Sequence, residues 1–197
     1  MTLAIRNTDG AKIYNITAQN ITAEIKNGVV PWAAVRLGEN NWYKKRPAES
    51  GEVYGINISG VKCEAKGAVY LSGALADSCI SDVKAGGTSL YAVSTYMTAQ
   101  RHTETGCELL PGISMKNVIL QNIEYSGSSE YEDSNEKYTE LTFPNENFVG
   151  CAVDFRCLRD TDILENVTIK NVTASGGREK LLLKPDFKGI KNCIFPE

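Results

Sequence analysis

Two stretches of the chain hold the residues best suited to chemistry. Asn40, Asn41, Trp42, Tyr43, Lys44, Lys45 and Arg46 follow one another directly, and Arg101 and His102 stand together in a second polar stretch. Aromatic faces beside Lys and Arg donors suit an acidic oligosaccharide, because the ring stacks on a sugar face and the cation makes charge-assisted hydrogen bonds to a carboxylate. The competing structural meaning is an aromatic cover for the side of the molecule followed by a solvated basic turn. His102 is the sole histidine, and a lone loop histidine is a weak basis for proton transfer.

Other chemistries find less support. Glu130, Glu132, Asp133, Glu136 and Glu140 read as a solvated acidic loop, without the spacing of an EF-hand calcium site. The six cysteines, at 63, 79, 107, 151, 157 and 193, form no CxxC pair and have no histidine at ligand spacing, so neither a metal nor another cofactor is expected. Their even number permits disulfides, with Cys151 and Cys157 as the first pair to inspect, but buried free thiols are the simpler expectation. A net charge of −3 argues against a nucleic-acid or anionic-membrane partner, and no apolar run approaches a membrane span. Residues 1–6 carry no secretion signal, which leaves the compartment open.

The elements that would position these residues come from an internal repeat. Ile13 to Ile21, Val53 to Val61, Met115 to Ile123 and Leu164 to Val172 are copies of one nonapeptide, apolar at its first, fourth and last positions. A degenerate copy runs from Leu75 to Val83 and a truncated one from Ile190 to Phe195. The last apolar positions are Ile21, Val61, Val83, Ile123 and Val172. Their smallest separation, 22 residues between Val61 and Val83, marks one coil without large insertions. Each copy is followed by a second short strand: Ala34–Leu37, Ala68–Leu71, Leu90–Val93, Ala152–Phe155 and Lys180–Leu183, with Leu3–Arg6 as one more.

Such coils cannot bury their inward side chains singly and must stack at the inter-strand distance. The sequence therefore predicts an all-β chain, a right-handed parallel β-helix of about five to six coils in a single domain over 1–197, with insertions at 38–52, 94–114 and 126–150. Asn at the bends (15, 117, 166 and 192, then 20, 122 and 171) suits left-handed backbone and predicts amide ladders between coils. That repeat also accounts for the Asn-x-Ser/Thr strings at 15, 20, 57, 166 and 171. Along the second strand class the outward row is expected to read Ala4, Arg36, Tyr70, Ala92, Asp154 and Leu182, with one carboxylate, Asp154, as the candidate catalytic group. Asp9, Asp160 and Asp162 are its nearest candidate assistants, since glycoside hydrolysis needs two carboxyl groups. Arg36 and Tyr70 join Trp42, Tyr43, Lys44, Lys45, Arg46, Arg101 and His102 as candidate substrate-binding residues.

The phrase Asn-Val-x-Ile-x-Asn-Val over 117–123 and 166–172, with strands such as Gly67-Ala68-Val69-Tyr70-Leu71-Ser72-Gly73, resembles the pectin-degrading β-helix superfamily. It is most similar to the polygalacturonase-like glycoside hydrolases of family 28. The resemblance covers nearly the whole chain and implies a part or subunit of a polysaccharide-degrading enzyme, extracellular or periplasmic if the parent protein is secreted. Family members carry an Asn-Thr-Asp element, an Asp pair, a Gly-His-Gly and an Arg-Ile-Lys. Asn7-Thr8-Asp9 matches the first by letter, Pro31-Trp32-Ala33 stands where the Asp pair belongs, and Gly-His-Gly is absent. Placing Leu3-Ala4-Ile5-Arg6 on the Arg-Ile-Lys strand puts the acidic coils upstream of residue 1 or in a partner. The uncovered first strand predicts an end-to-end second copy or a partner subunit. The alternative is a non-catalytic β-helix used for binding or assembly, as in adhesins and phage tails.

Overall fold

Short β-branched segments broken by Asn, Asp and Gly favour strands joined by sharp bends, and the chain folds entirely that way. The computed structural model describes residues 2–7, 12–24, 33–39, 53–64, 67–71, 74–95, 100–103, 106–109, 114–127, 150–156, 158, 160 and 162–197, and they contain strands and no helix. One sheet holds β1 (Leu3–Asn7), β3 (Val35–Glu39), β5 (Gly67–Leu71), β7 (Tyr91–Ser94), β11 (Cys151–Phe155) and β14 (Glu179–Leu183), in that spatial order. The other holds β2 (Ile13–Ala23), β4 (Val53–Cys63), β6 (Leu75–Ala85) and β10 (Ser114–Tyr125), continued by β12 (Ile163–Glu165), β13 (Thr168–Ala174) and β15 (Ile190–Lys191). The chain alternates between the two sheets, and all pairings within them are parallel. This two-sheet parallel arrangement is compatible with a β-helix or related solenoid. A separate antiparallel pair, β8 (Gln100–Thr103) with β9 (Gly106–Leu109), lies in the sequence between β7 and β10.

The core follows from register. Ile21, Val61, Val83, Ile123 and Val172 pair in sequence across the second sheet, forming the single column expected of them. Ala18, Ile58, Ile80, Leu120 and Ile169 make a second column, and Val35, Val69, Val93, Val153 and Leu181 face them from the first sheet. Each strand buries these side chains only against its neighbours in the two sheets, so sequence-distant strands form the core cooperatively. Ser78 departs from the aliphatic pattern: it is buried, accepts a hydrogen bond from Ile56 N at 3.0 Å and donates to Ala76 O at 2.6 Å.

Two bends shape each long strand of the second sheet. The first column of bend residues is Asn15, Gly55, Asp77, Asn117, Asn166 and Asn192, and the second is Asn20, Gly60, Asp82, Asn122 and Asn171. All have φ between 47° and 67°, the left-handed region that Gly, Asn and Asp tolerate best. The amides do form ladders. Asn117 Nδ2 donates to Asp77 Oδ1 (2.7 Å) and Asn166 Nδ2 to Asn117 Oδ1 (2.9 Å). In the second column Asn122 donates to Asp82 (2.9 Å) and Asn171 to Asn122 (3.1 Å). Each run ends on an Asp, which only accepts, and the next position is a glycine with no side chain to continue it.

The ladder leaves a pH signature. Hydrogen bonds from Asn122 and then Ser81 hold the Asp82 carboxyl below its ordinary value of 3.8. A depressed folded-state value stabilises above the ordinary value and is lost as pH falls through the folded one. Asp82→Asn keeps an acceptor for Asn122 and removes that titration. Thermal unfolding followed from pH 5 to pH 2 is expected to show a shallower acid limb for the variant than for the wild type; identical limbs would refute the assignment.

Candidate functional site

The outer row of the first sheet is where the candidate catalytic and binding residues converge. Pairing places Ala4 beside Arg36, Arg36 beside Tyr70, Tyr70 beside Ser94, Ser94 beside Asp154, and Asp154 beside Leu182. This corrects the expected row at one position: Ser94, not Ala92, stands between Tyr70 and Asp154. A slip of two residues preserves which side chains face in and which face out, so alternation alone could not detect it. The signal was present in the Ala-Val pair at 34–35, 68–69, 92–93 and 152–153, whose members all fall in register.

The row is not an open sheet face. Tyr70 is 3% exposed, Ser94 0% and Asp154 2%, so other parts of the chain cover the middle of the row. The Arg36 guanidinium carbon lies 5.1 Å from the centre of the Tyr70 ring, a cation–π contact. Arg36 itself is half-buried. Nearby, Tyr91 is buried with its ring against Gly67. Burial, reinforced by Tyr70, Cys63 and Asp154 and opposed by Arg36, pushes its phenol well above the ordinary value, which keeps the hydroxyl neutral.

Asp154 is fully engaged. Arg156 Nε donates to Oδ1 at 2.9 Å, Arg156 Nη2 to Oδ2 at 2.7 Å, and the Arg156 backbone N–H to Oδ1 at 3.1 Å. The paired fork anchors the turn after β11, and neither carboxylate oxygen is left uncommitted to act on a sugar. Asp162 is also buried, and Asp160 is exposed with Lys184 Nζ at 2.7 Å. The Lys184 contact holds the Asp160 carboxyl below its ordinary range. The hydroxyls of Ser94 and Thr95 are buried and make no hydrogen bond.

Other candidates fall elsewhere. Trp42, Tyr43, Lys44, Lys45, Arg46 and Asp9 lie outside the described residues. Arg101 and His102 sit on β8, opposite Glu108 and Cys107 of β9, and their side chains lie outside the described residues. Cys63, Cys79, Cys151 and Cys193 are in no disulfide, Cys63 and Cys151 being buried and Cys79 and Cys193 partly exposed, while Cys157 lies outside the described residues. Among the described residues no group of three or more His, Cys, Asp or Glu is placed to hold a metal. A cavity of about 390 Å³ opens between β14 and the final residues, lined by Arg178, Glu179, Lys180, Leu181, Leu183, Pro196 and Glu197.

Sequence reasoning also overlooked an aromatic pair on the second sheet. Tyr14 and Tyr54 are paired in register, with ring centroids 5.2 Å apart and planes inclined by 8°. Their stacking depends on rotamers that spacing does not encode. Comparison with protein-family models, with curated proteins and with solved structures gives no match to this chain.

Proposed function

We propose that the chain is a right-handed parallel β-helix of about five to six coils, related to the polygalacturonase-like hydrolases, and that it serves as the saccharide-holding part of a polysaccharide-degrading protein. The alternation between two parallel sheets supports the helix, and crossover connections between parallel strands are right-handed in about 98% of cases. The observation that carries the functional reading is Arg36 over Tyr70: a half-exposed cation fixed on a buried aromatic base, suited to a sugar carboxylate. Hydrolysis would need a pair of carboxyl groups, and this row contributes only Asp154, already bound to Arg156. The acid and base of an enzyme therefore come from outside the row. The same observation favours a second reading, a non-catalytic β-helix for binding or assembly.

Titration with soluble oligogalacturonides tests the first reading. Arg36→Ala is expected to weaken binding at its site by about tenfold, the scale of one lost charge-assisted hydrogen bond of about 1.5 kcal/mol, with the circular dichroism spectrum unchanged. Unaltered affinity in that variant would refute the role of Arg36. Release of reducing ends by the wild-type chain alone would show a complete glycosidase and overturn the division of labour proposed here.

A further inference from the structure

The outward row of the second sheet, at the position just before the first bend, reads Tyr14, Tyr54, Ala76, Lys116 and Glu165. Tyr14 is 52% exposed and Tyr54 half-exposed, and the two rings stack. The row then breaks. Ala76 offers only a methyl group, and the next large side chain, Lys116, stands two strand spacings beyond Tyr54, about 9.6 Å. One face of the Tyr54 ring is covered by Tyr14, and the strand on its other side carries Ala76 at the paired position.

We infer that this gap is a binding site for a neutral pyranose ring, which takes the place of a third ring in the tyrosine stack. The inference rests on the carbohydrate reading above and deepens it by adding a sugar subsite away from Arg36. A ring seated about 3.5–4 Å from Tyr54 lies over Ala76 and leaves room before Lys116. Its apolar C–H face meets the aromatic face, as stacking on a quadrupole requires, and Ala76 forms the floor. The gap could not be filled by a neighbouring side chain without losing this geometry.

The charges around the gap select the class of sugar. Lys116 is already held by Glu165, with Nζ to Oε1 at 3.0 Å, so it offers no unpaired cation. Asp77, the residue after Ala76, has an exposed carboxylate whose Oδ1 accepts from Asn117. Asp77 beside Ala76 and Glu165 next to Lys116 bring two carboxylates and one ammonium to this stretch of the row, a balance that disfavours an acidic sugar, and carboxylate oxygens accept hydrogen bonds from the hydroxyls of a neutral one. This subsite thus differs in preference from the one at Arg36, where a guanidinium favours an acid.

The test uses the full chain labelled at its tyrosine rings, with xylo-oligosaccharides as the neutral probe and oligogalacturonides as the acidic one, followed by the ring resonances of Tyr54. The neutral probe is expected to shift them and the acidic probe to bind there at least tenfold more weakly. Ala76→Tyr fills the gap with a third ring. It is expected to abolish the shift of Tyr54 while unfolding at no lower temperature than the wild type, and Arg36→Ala should leave the shift in place. Persistence of the shift in Ala76→Tyr, or a stronger response to the acidic probe, would overturn the subsite. An unmoved Tyr54 alongside binding that depends on Arg36 would overturn it too, while leaving the saccharide reading intact. Binding of neither probe at any site would overturn both.

Discussion

Arg156→Ala is expected to destabilise the fold by about 2–3 kcal/mol, read as a drop in the free energy of urea unfolding. Asp154 is 2% exposed, and both of its oxygens are held by the Arg156 fork. Removing the guanidinium strands a carboxylate that is itself almost wholly buried. Breaking a fully buried pair costs about 3–5 kcal/mol. Arg156 is 30% exposed, so water reaching the vacated space reduces the loss. Asp154→Leu combined with Arg156→Met removes both charges and is expected to recover most of the stability, since an apolar pair needs no compensation there. A single variant within about 0.5 kcal/mol of the wild type would mean that the pair is an ordinary surface contact. The outcome bears on function, because a carboxylate held for structure leaves this row without a free catalytic acid.

Gly67→Ala is expected to cost about 2–3 kcal/mol, an overpacking penalty at the upper end of the usual range. An ideal Cβ at Gly67 would fall on Cε2 and Cζ of the Tyr91 ring, and both residues are buried. Neither backbone nor ring can yield without moving the neighbouring strands, which are in register on each side. Tyr91→Ala alone should cost about 3–5 kcal/mol through the cavity it leaves. The double variant is the decisive measurement: with the ring gone, the added methyl group meets open space, so the double should be no less stable than Tyr91→Ala. Simple additivity of the two losses would show that the glycine is required for its backbone and not for the ring.

What the sequence disclosed was the part governed by repetition. Ile21, Val61, Val83, Ile123 and Val172 stand in one column because in-register parallel strands reproduce the same apolar position from one strand to the next. The asparagine ladders were legible for the same reason. The alignment of β7 was misjudged by two residues because Leu90 and Tyr91 supplied an equally apolar alternative of the same parity. Only the repeated Ala-Val pair separated the two. Burial of the Asp154 row escaped notice because alternation tells inward from outward and says nothing of what lies over the outward side. The Arg156 fork was missed because a residue just beyond a strand has no periodic position to mark it. The tyrosine stack depends on side-chain rotamers, which spacing leaves undetermined.

The bend columns carry a consequence for how such a chain changes over generations. Val61 and Val83 are paired in register on adjacent parallel strands, as are Lys62 and Lys84, and Cys63 and Ala85. Duplicating or deleting that stretch rejoins the backbone in phase, with a left-handed residue again at each bend. A gain of any other length must be absorbed at a corner, as in the 40-residue and 49-residue steps between ladder partners. The stretch from one paired position to the next is thus the natural quantum of length for this molecule, and the connections between strands are where its individuality accumulates.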